Sequence, residues 1–122
     1  MASGLAALLA GALAVAAATY TDAQLELAAR LGAAVALSRI CNGTVPTTAV
    51  MTALAAGGLT QGDVLGDTPI RERMQSAAAA VVSDSERQRS EGLAQAEIVA
   101  AACDAYRATF GPNGVLRGSP LP

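Results

Sequence analysis

Residues Thr21–Gly43 read TDAQLELAARLGAAVALSRICNG, a stretch that carries the start, body and end of one helix. Thr21 and Gln24 stand at capping-box spacing, so the Thr hydroxyl and the Gln side chain satisfy exposed backbone N–H groups reciprocally. Leu25, Ala28, Ala29, Gly32, Val35, Ala36 and Ile40 then recur at helical spacing and predict one apolar stripe. Glu26 and Arg30 lie four apart in the favourable order on the exposed side. Asn42-Gly43 closes the segment, because both residues tolerate the left-handed conformation that ends a helix.

Downstream the pattern repeats without a competing strand signal. Pro46 suits the first position of a second helix through Val50, Met51 and Leu54, which Gly57-Gly58 stops. Leu59–Asp67 reads as a loop or as one short turn begun by Thr60. Asp67-Thr68-Pro69 starts a third helix along Ile70, Met74, Ala77, Ala78, Val81 and Val82. The polar block Ser83–Glu91 (SDSERQRSE) reads as a linker or as the solvated continuation of the helix, with a turn favoured because Ser and Asp side chains compete for the backbone. A last helix spans Leu93 to Phe110 with Leu93, Ala96, Val99, Cys103, Tyr106 and Phe110 on one face, and Gly111-Pro112 ends it. The expected fold is all-α, a small bundle of three to five helices over residues 19–112, with an irregular tail at 113–122.

Upstream, Gly4–Ala18 (GLAALLAGALAVAAA) is an uncharged apolar run ending in small residues. It matches the apolar stretch and A-x-A site of a secretory signal peptide, with cleavage after Ala18 leaving Thr19 first. Met1-Ala2-Ser3 carries no Arg or Lys, as a signal's first region usually does. The alternatives are a membrane anchor, for which about 20 apolar residues are needed, and an Ala-rich helix of the core. The signal reading places the protein in the periplasm or outside the cell; the anchor reading gives membrane contact through residues 4–18.

Composition narrows the chemistry. The 122 residues include 30 Ala, no His and no Trp, and all eight basic residues are Arg. Arg without Lys, beside abundant Ala, Gly and Val, suggests a GC-rich bacterial genome. Without His there is no Ser-His-Asp or Cys-His catalysis and no imidazole metal ligand. A net charge of −2 leaves no broad footprint for nucleic acid. Two Cys in one chain build neither a four-thiolate zinc site nor an iron–sulfur cluster. No cofactor and no metal site is expected.

An even Cys count behind a signal-like segment reads as one disulfide, Cys41–Cys103. Across roughly 60 residues it contributes about 4 kcal/mol in the chain-entropy model. Two buried free thiols, or a redox pair, are the alternatives. No C-x-x-C spacing is present, and no Lys or His stands nearby to lower a thiol pKa.

Other residues admit a sharper and a plainer reading. Asp63 and Asp67 in GDVLGD invite calcium, but Val64 and Leu65 interrupt the alternating oxygen ligands of a calcium loop; turn and cap roles fit better. Glu26, Glu91, Glu97 and Asp104 supply the carboxylates a small hydrolase would use, and equally the solvated faces of amphipathic helices. Asn42-Gly43-Thr44 matches the glycosylation pattern, while helix ending already accounts for its Asn and Gly. Arg71, Arg73, Arg87 and Arg89 are interspersed with Glu72, Asp84, Glu86 and Glu91, which points to a salt-bridged surface.

The layout resembles small secreted two-cysteine helical proteins of alphaproteobacteria. The shared features are an export signal, a helix ending in the first Cys (Leu31–Cys41, LGAAVALSRIC) and a second Cys near the C-terminus (Cys103). The resemblance implies export and the disulfide, and no activity. The expected function is a non-enzymatic exported accessory or binding protein acting on a protein partner. A membrane-anchored subunit of a larger complex and a small carboxylate-dependent enzyme are the rivals.

Overall fold

The computed structural model describes residues 19–110. The apolar run 1–18, the Gly111-Pro112 stop and the tail 113–122 lie outside the described residues. Within them the chain forms five helices and no strand: α1 (Asp22–Cys41), α2 (Thr47–Ala56), α3 (Gln61–Leu65), α4 (Pro69–Ser90) and α5 (Gln95–Phe110).

Caps fix most boundaries. Thr21 and Gln24 form the capping box of α1, with bonds of 3.1 and 2.9 Å. Thr60 and Asp63 build a second one for the single-turn α3, and the Thr68 hydroxyl accepts from the Arg71 N–H at the start of α4. Asn42, at φ 60°, ends α1 in the left-handed region. The end of α2 needs Gly58, whose φ of 76° strains any other residue. There the Leu59 and Gly58 N–H groups donate to the Leu54 and Ala55 carbonyls, the paired bonds of a Schellman motif. Leu54 and Leu59 are both buried beside that turn.

α2 folds back along α1: the Gln24 amide donates to the Gly57 carbonyl, and Gly57 lies against Leu27. α4 then runs beside α1 in the same direction. Tyr20 reaches Asp63 just ahead of α4, Gly32 abuts Met74, and Ala36 and Ile40 face Ala78 and Val82. The contact at Gly32 is backbone to backbone. A Cβ there would stand 2.1 Å from the Met74 carbonyl oxygen, so only glycine lets the two helices meet this closely. α5 returns after a short connection and is bonded to α1 by the Cys41–Cys103 disulfide, with Cα atoms 4.9 Å apart.

The core gathers Ala28, Leu31, Ala34, Leu54, Leu59, Ile70, Tyr106 and Phe110. Tyr106 and Phe110 meet edge to face at 5.5 Å, and the Tyr106 hydroxyl donates to the Thr44 carbonyl. Such ring pairs are worth about 0.5–1.5 kcal/mol beyond their area, which matters in a core whose only aromatic side chains are these two.

Four sequence expectations are corrected. The single stripe on α1 is replaced by burial around most of the helix: Leu31, Gly32, Ala34, Ala36 and Ser38 are all buried. α1 is the central helix, packed by α2, α4 and α5 on different sides, and Ser38 is tolerated inside because its hydroxyl donates to the Val35 carbonyl. The turn expected at Ser83–Glu91 is helix through Ser90. Arg87 pairs with Asp84 and with Glu91, and Gln88 with Asp84, so side-chain bonds at i+3 and i+4 outweigh the local competition. Pro46 caps α2 from the position before its first turn. α5 begins at Gln95, leaving Leu93 in the connection and Ala96 exposed, while Ile98 and Ala102 supply the buried face the spacing missed.

Candidate functional site

An open concavity follows from how the three long helices meet. α1 packs closely on α4 and is stapled to α5, whereas α4 and α5 touch each other little beyond their connection. The two diverge over α1 and leave an open groove of about 680 Å³. Ala29, Ala33 and Leu37 on α1 line it from one helix. Ala77 and Val81 of α4 and Ala102 and Ala105 of α5 form the walls, and Ile98 stands beside them. Small side chains line it because alanine fills the helix surface without filling the space between helices.

Glu26, Arg30, Asp84, Ser85 and Gln88 supply the polar part of its lining. Glu26 and Arg30, both exposed, pair at 3.1 Å on α1. Asp84 and Gln88 of α4 also border the groove, with Asp84 bound to Arg87. A second depression of about 300 Å³ lies between α1 and α4, lined by Ala36, Ile40, Ala78 and Val82 with Arg39 beside them.

The sequence-derived candidates disperse. Glu26, Glu91 and Asp104 each pair with an Arg of their own helix or its cap, and Glu97 is exposed. Of these four, the groove is bordered by Glu26 alone. Asp63 serves the start of α3. Its carboxylate accepts from the Thr60 N–H at 2.7 Å, from the Thr60 hydroxyl at 2.9 Å and from the Tyr20 hydroxyl at 2.5 Å. The Tyr20 bond, followed by the Thr60 bonds, holds the Asp63 carboxyl below the usual carboxylate range, and the same contact raises the Tyr20 phenol above its ordinary value. Asp67 is exposed, and among the described residues no group of three His, Cys, Asp or Glu is gathered to hold a metal ion. Of the four Arg residues, Arg87 is ion-paired, Arg71 donates to the Leu65 carbonyl and Arg89 to Gln95.

Cys41 and Cys103 are joined, so neither is a free thiol. The groove was not legible from the sequence. Its lining is scattered over three helices and alanine is its commonest residue, which marks neither a core nor a site. Among the described residues no helix is long and apolar enough to cross a membrane. Comparison with protein-family models, curated proteins and solved structures finds no match to the chain.

Proposed function

We propose that this protein is an exported, non-enzymatic helical binding or accessory protein of an oxidising compartment, the periplasm or the cell exterior, and that it engages a protein partner along the groove between α4 and α5. The observation that carries the reading is the Cys41–Cys103 disulfide, since such bonds persist outside the reducing cytosol. Three features add support. The chain contains no His, and its acidic side chains are spread over separate helix surfaces. The groove is lined chiefly by Ala, Leu, Val and Ile side chains.

The test is N-terminal sequencing and fractionation of the protein from its native host under non-reducing conditions. A chain that begins at Thr19, sits in the periplasmic or secreted fraction and yields no free thiol supports the proposal. A chain that keeps Met1 and stays with the membrane through a carbonate wash replaces it with an anchor at residues 4–18. A cytosolic chain with two reactive thiols overturns it.

A further inference from the structure

Asn42-Gly43 ends α1, and it is also the dipeptide in which a backbone amide most readily attacks a side chain. Glycine has no Cβ to shield its nitrogen, so in an open chain the Gly43 nitrogen reaches the Asn42 carboxamide freely. The Gly43 N–Asn42 Cγ bond forms, the Cγ–Nδ2 bond breaks, and ammonia leaves with the proton of the Gly43 amide. Water then opens the five-membered imide at one carbonyl or the other and leaves aspartate or isoaspartate. No electron changes hands. Two structural demands bring these residue types together. Position 42 takes the left-handed conformation at φ 60°, which Asn tolerates. Position 43 lies against the Tyr106 ring, where an added Cβ would stand 3.0 Å from Cζ.

The fold holds the pair in the wrong geometry for that reaction. Closing the imide ring needs the Asn42 Cβ and the Gly43 nitrogen on the same side of the Cα–C bond. At ψ 33° they stand on nearly opposite sides. The nucleophile is also engaged, because the Gly43 N–H donates to the Ser38 carbonyl at 2.8 Å. Asn42 itself is exposed, so conformation and not burial protects it. α5 holds that conformation at two points: Cys103 is bonded to Cys41, and Tyr106 covers Gly43 and donates to the Thr44 carbonyl.

We propose that Asn42 is a deamidation site that this clasp between α1 and α5 keeps closed, and that it reacts only while the clasp is open. Conversion follows the fraction of time the cap spends open. The reaction runs one way. Isoaspartate carries an extra methylene in the main chain beside Cys41, which displaces the Gly43 N–H from Ser38 and prevents the cap from re-forming. Modified chains therefore accumulate as a record of time spent without the disulfide.

The test is a time course of the full chain at mildly alkaline pH. Peptide-resolved mass spectrometry and isoaspartate methyltransferase labelling read residue 42 apart from the other Asn-Gly, Asn113-Gly114. The reduced, urea-unfolded chain is expected to convert at Asn42, and the folded oxidised chain at least about tenfold more slowly. Cys41→Ser with Cys103→Ser removes the bridge, and Tyr106→Phe keeps bridge and ring but removes the bond to Thr44. Both are expected to convert several-fold faster than the parent under native conditions. Tyr106→Phe carries this arm if circular dichroism shows the disulfide-free variant unfolded. A folded parent that converts as fast as the unfolded chain overturns the protection, and an unfolded chain that keeps Asn42 intact overturns the site. Conversion in Tyr106→Phe and in a folded disulfide-free variant no faster than in the parent overturns the clasp as the gate.

Discussion

Replacing Gly32 by alanine adds one methyl group where α1 and α4 stand closest. Its Cβ would lie 2.1 Å from the Met74 carbonyl oxygen and 2.7 Å from the carbonyl carbon and Cα, all of them backbone atoms that no rotamer change moves. Restoring an ordinary 3.4 Å contact parts the helices by about 1.3 Å at the crossing. A gap of 0.5–1 Å already forfeits a quarter to a half of each dispersion contact along it, and overpacked sites lose about 1–3 kcal/mol. Against this stands the helix-propensity gain of about 1 kcal/mol for Ala over Gly. With three backbone atoms inside 3 Å the cost falls in the upper part of the overpacking range, so the net expectation is a loss of about 1–2 kcal/mol, which for a domain of this size lowers Tm by about 5–10 °C. Urea and thermal unfolding followed by far-UV circular dichroism, with the disulfide intact, measure it. Gly62→Ala is the control, because the nearest atom to its added Cβ is 3.6 Å away. A Gly32→Ala protein as stable as the parent, or about 1 kcal/mol more stable, would refute the close crossing of α1 and α4.

Three further outcomes are expected. Cys41→Ser with Cys103→Ser opens a loop spanning 62 positions and costs about 4 kcal/mol in the chain-entropy model; calorimetry of parent and variant without reductant gives the difference, and equal Tm values would count against it. Phe110→Ala removes the largest fully buried side chain and costs about 3–5 kcal/mol in denaturant unfolding, whereas Leu65→Ala, at 65% exposed, changes stability by about 0.5 kcal/mol or less. The stability supplied by Asp63 is present above the usual carboxylate range and is lost as pH falls through its lowered folded value; that supplied by Tyr20 is present below the ordinary phenol value of 10.0 and is lost as pH rises through its raised one. Melting across pH should therefore show a shallower acid limb in Asp63→Asn and a shallower alkaline limb in Tyr20→Phe; unchanged limbs would show that the contact is not formed in solution.

Legibility in the sequence follows the strength of the local signal. Thr21 with Gln24, Asn42, Gly57-Gly58 and Thr68-Pro69 announce helix ends because a cap needs particular atoms at fixed offsets, and each stands where the structure uses it. The cysteine pair was legible because two Cys allow one intramolecular partner. The interior of α1 was not. From Leu31 to Ser38 nearly every residue is small or apolar, so spacing alone does not separate a one-sided helix from one covered around most of its surface. At Ser83–Glu91 the propensities of Ser and Asp argued for a turn, yet the same residues place Asp84, Arg87 and Glu91 at the i+3 and i+4 distances that hold the helix together. The groove lies beyond any local signal, since it is the space left between two helices that diverge.

The position of the disulfide also sets how the chain answers to force. Cys41 closes α1 and Cys103 lies within α5, so α2, α3 and α4 belong to one covalent ring, while Asp22–Ile40 and Asp104–Phe110 leave it as two arms. Tension applied at the ends of the oxidised chain passes through the sulfur bridge and bypasses the ring. About 200 Å of contour, the reach of 62 extended residues, stays out of the stretched path until the bond is reduced. The arms peel first, and α4 feels the pull only through the neighbours it is packed against.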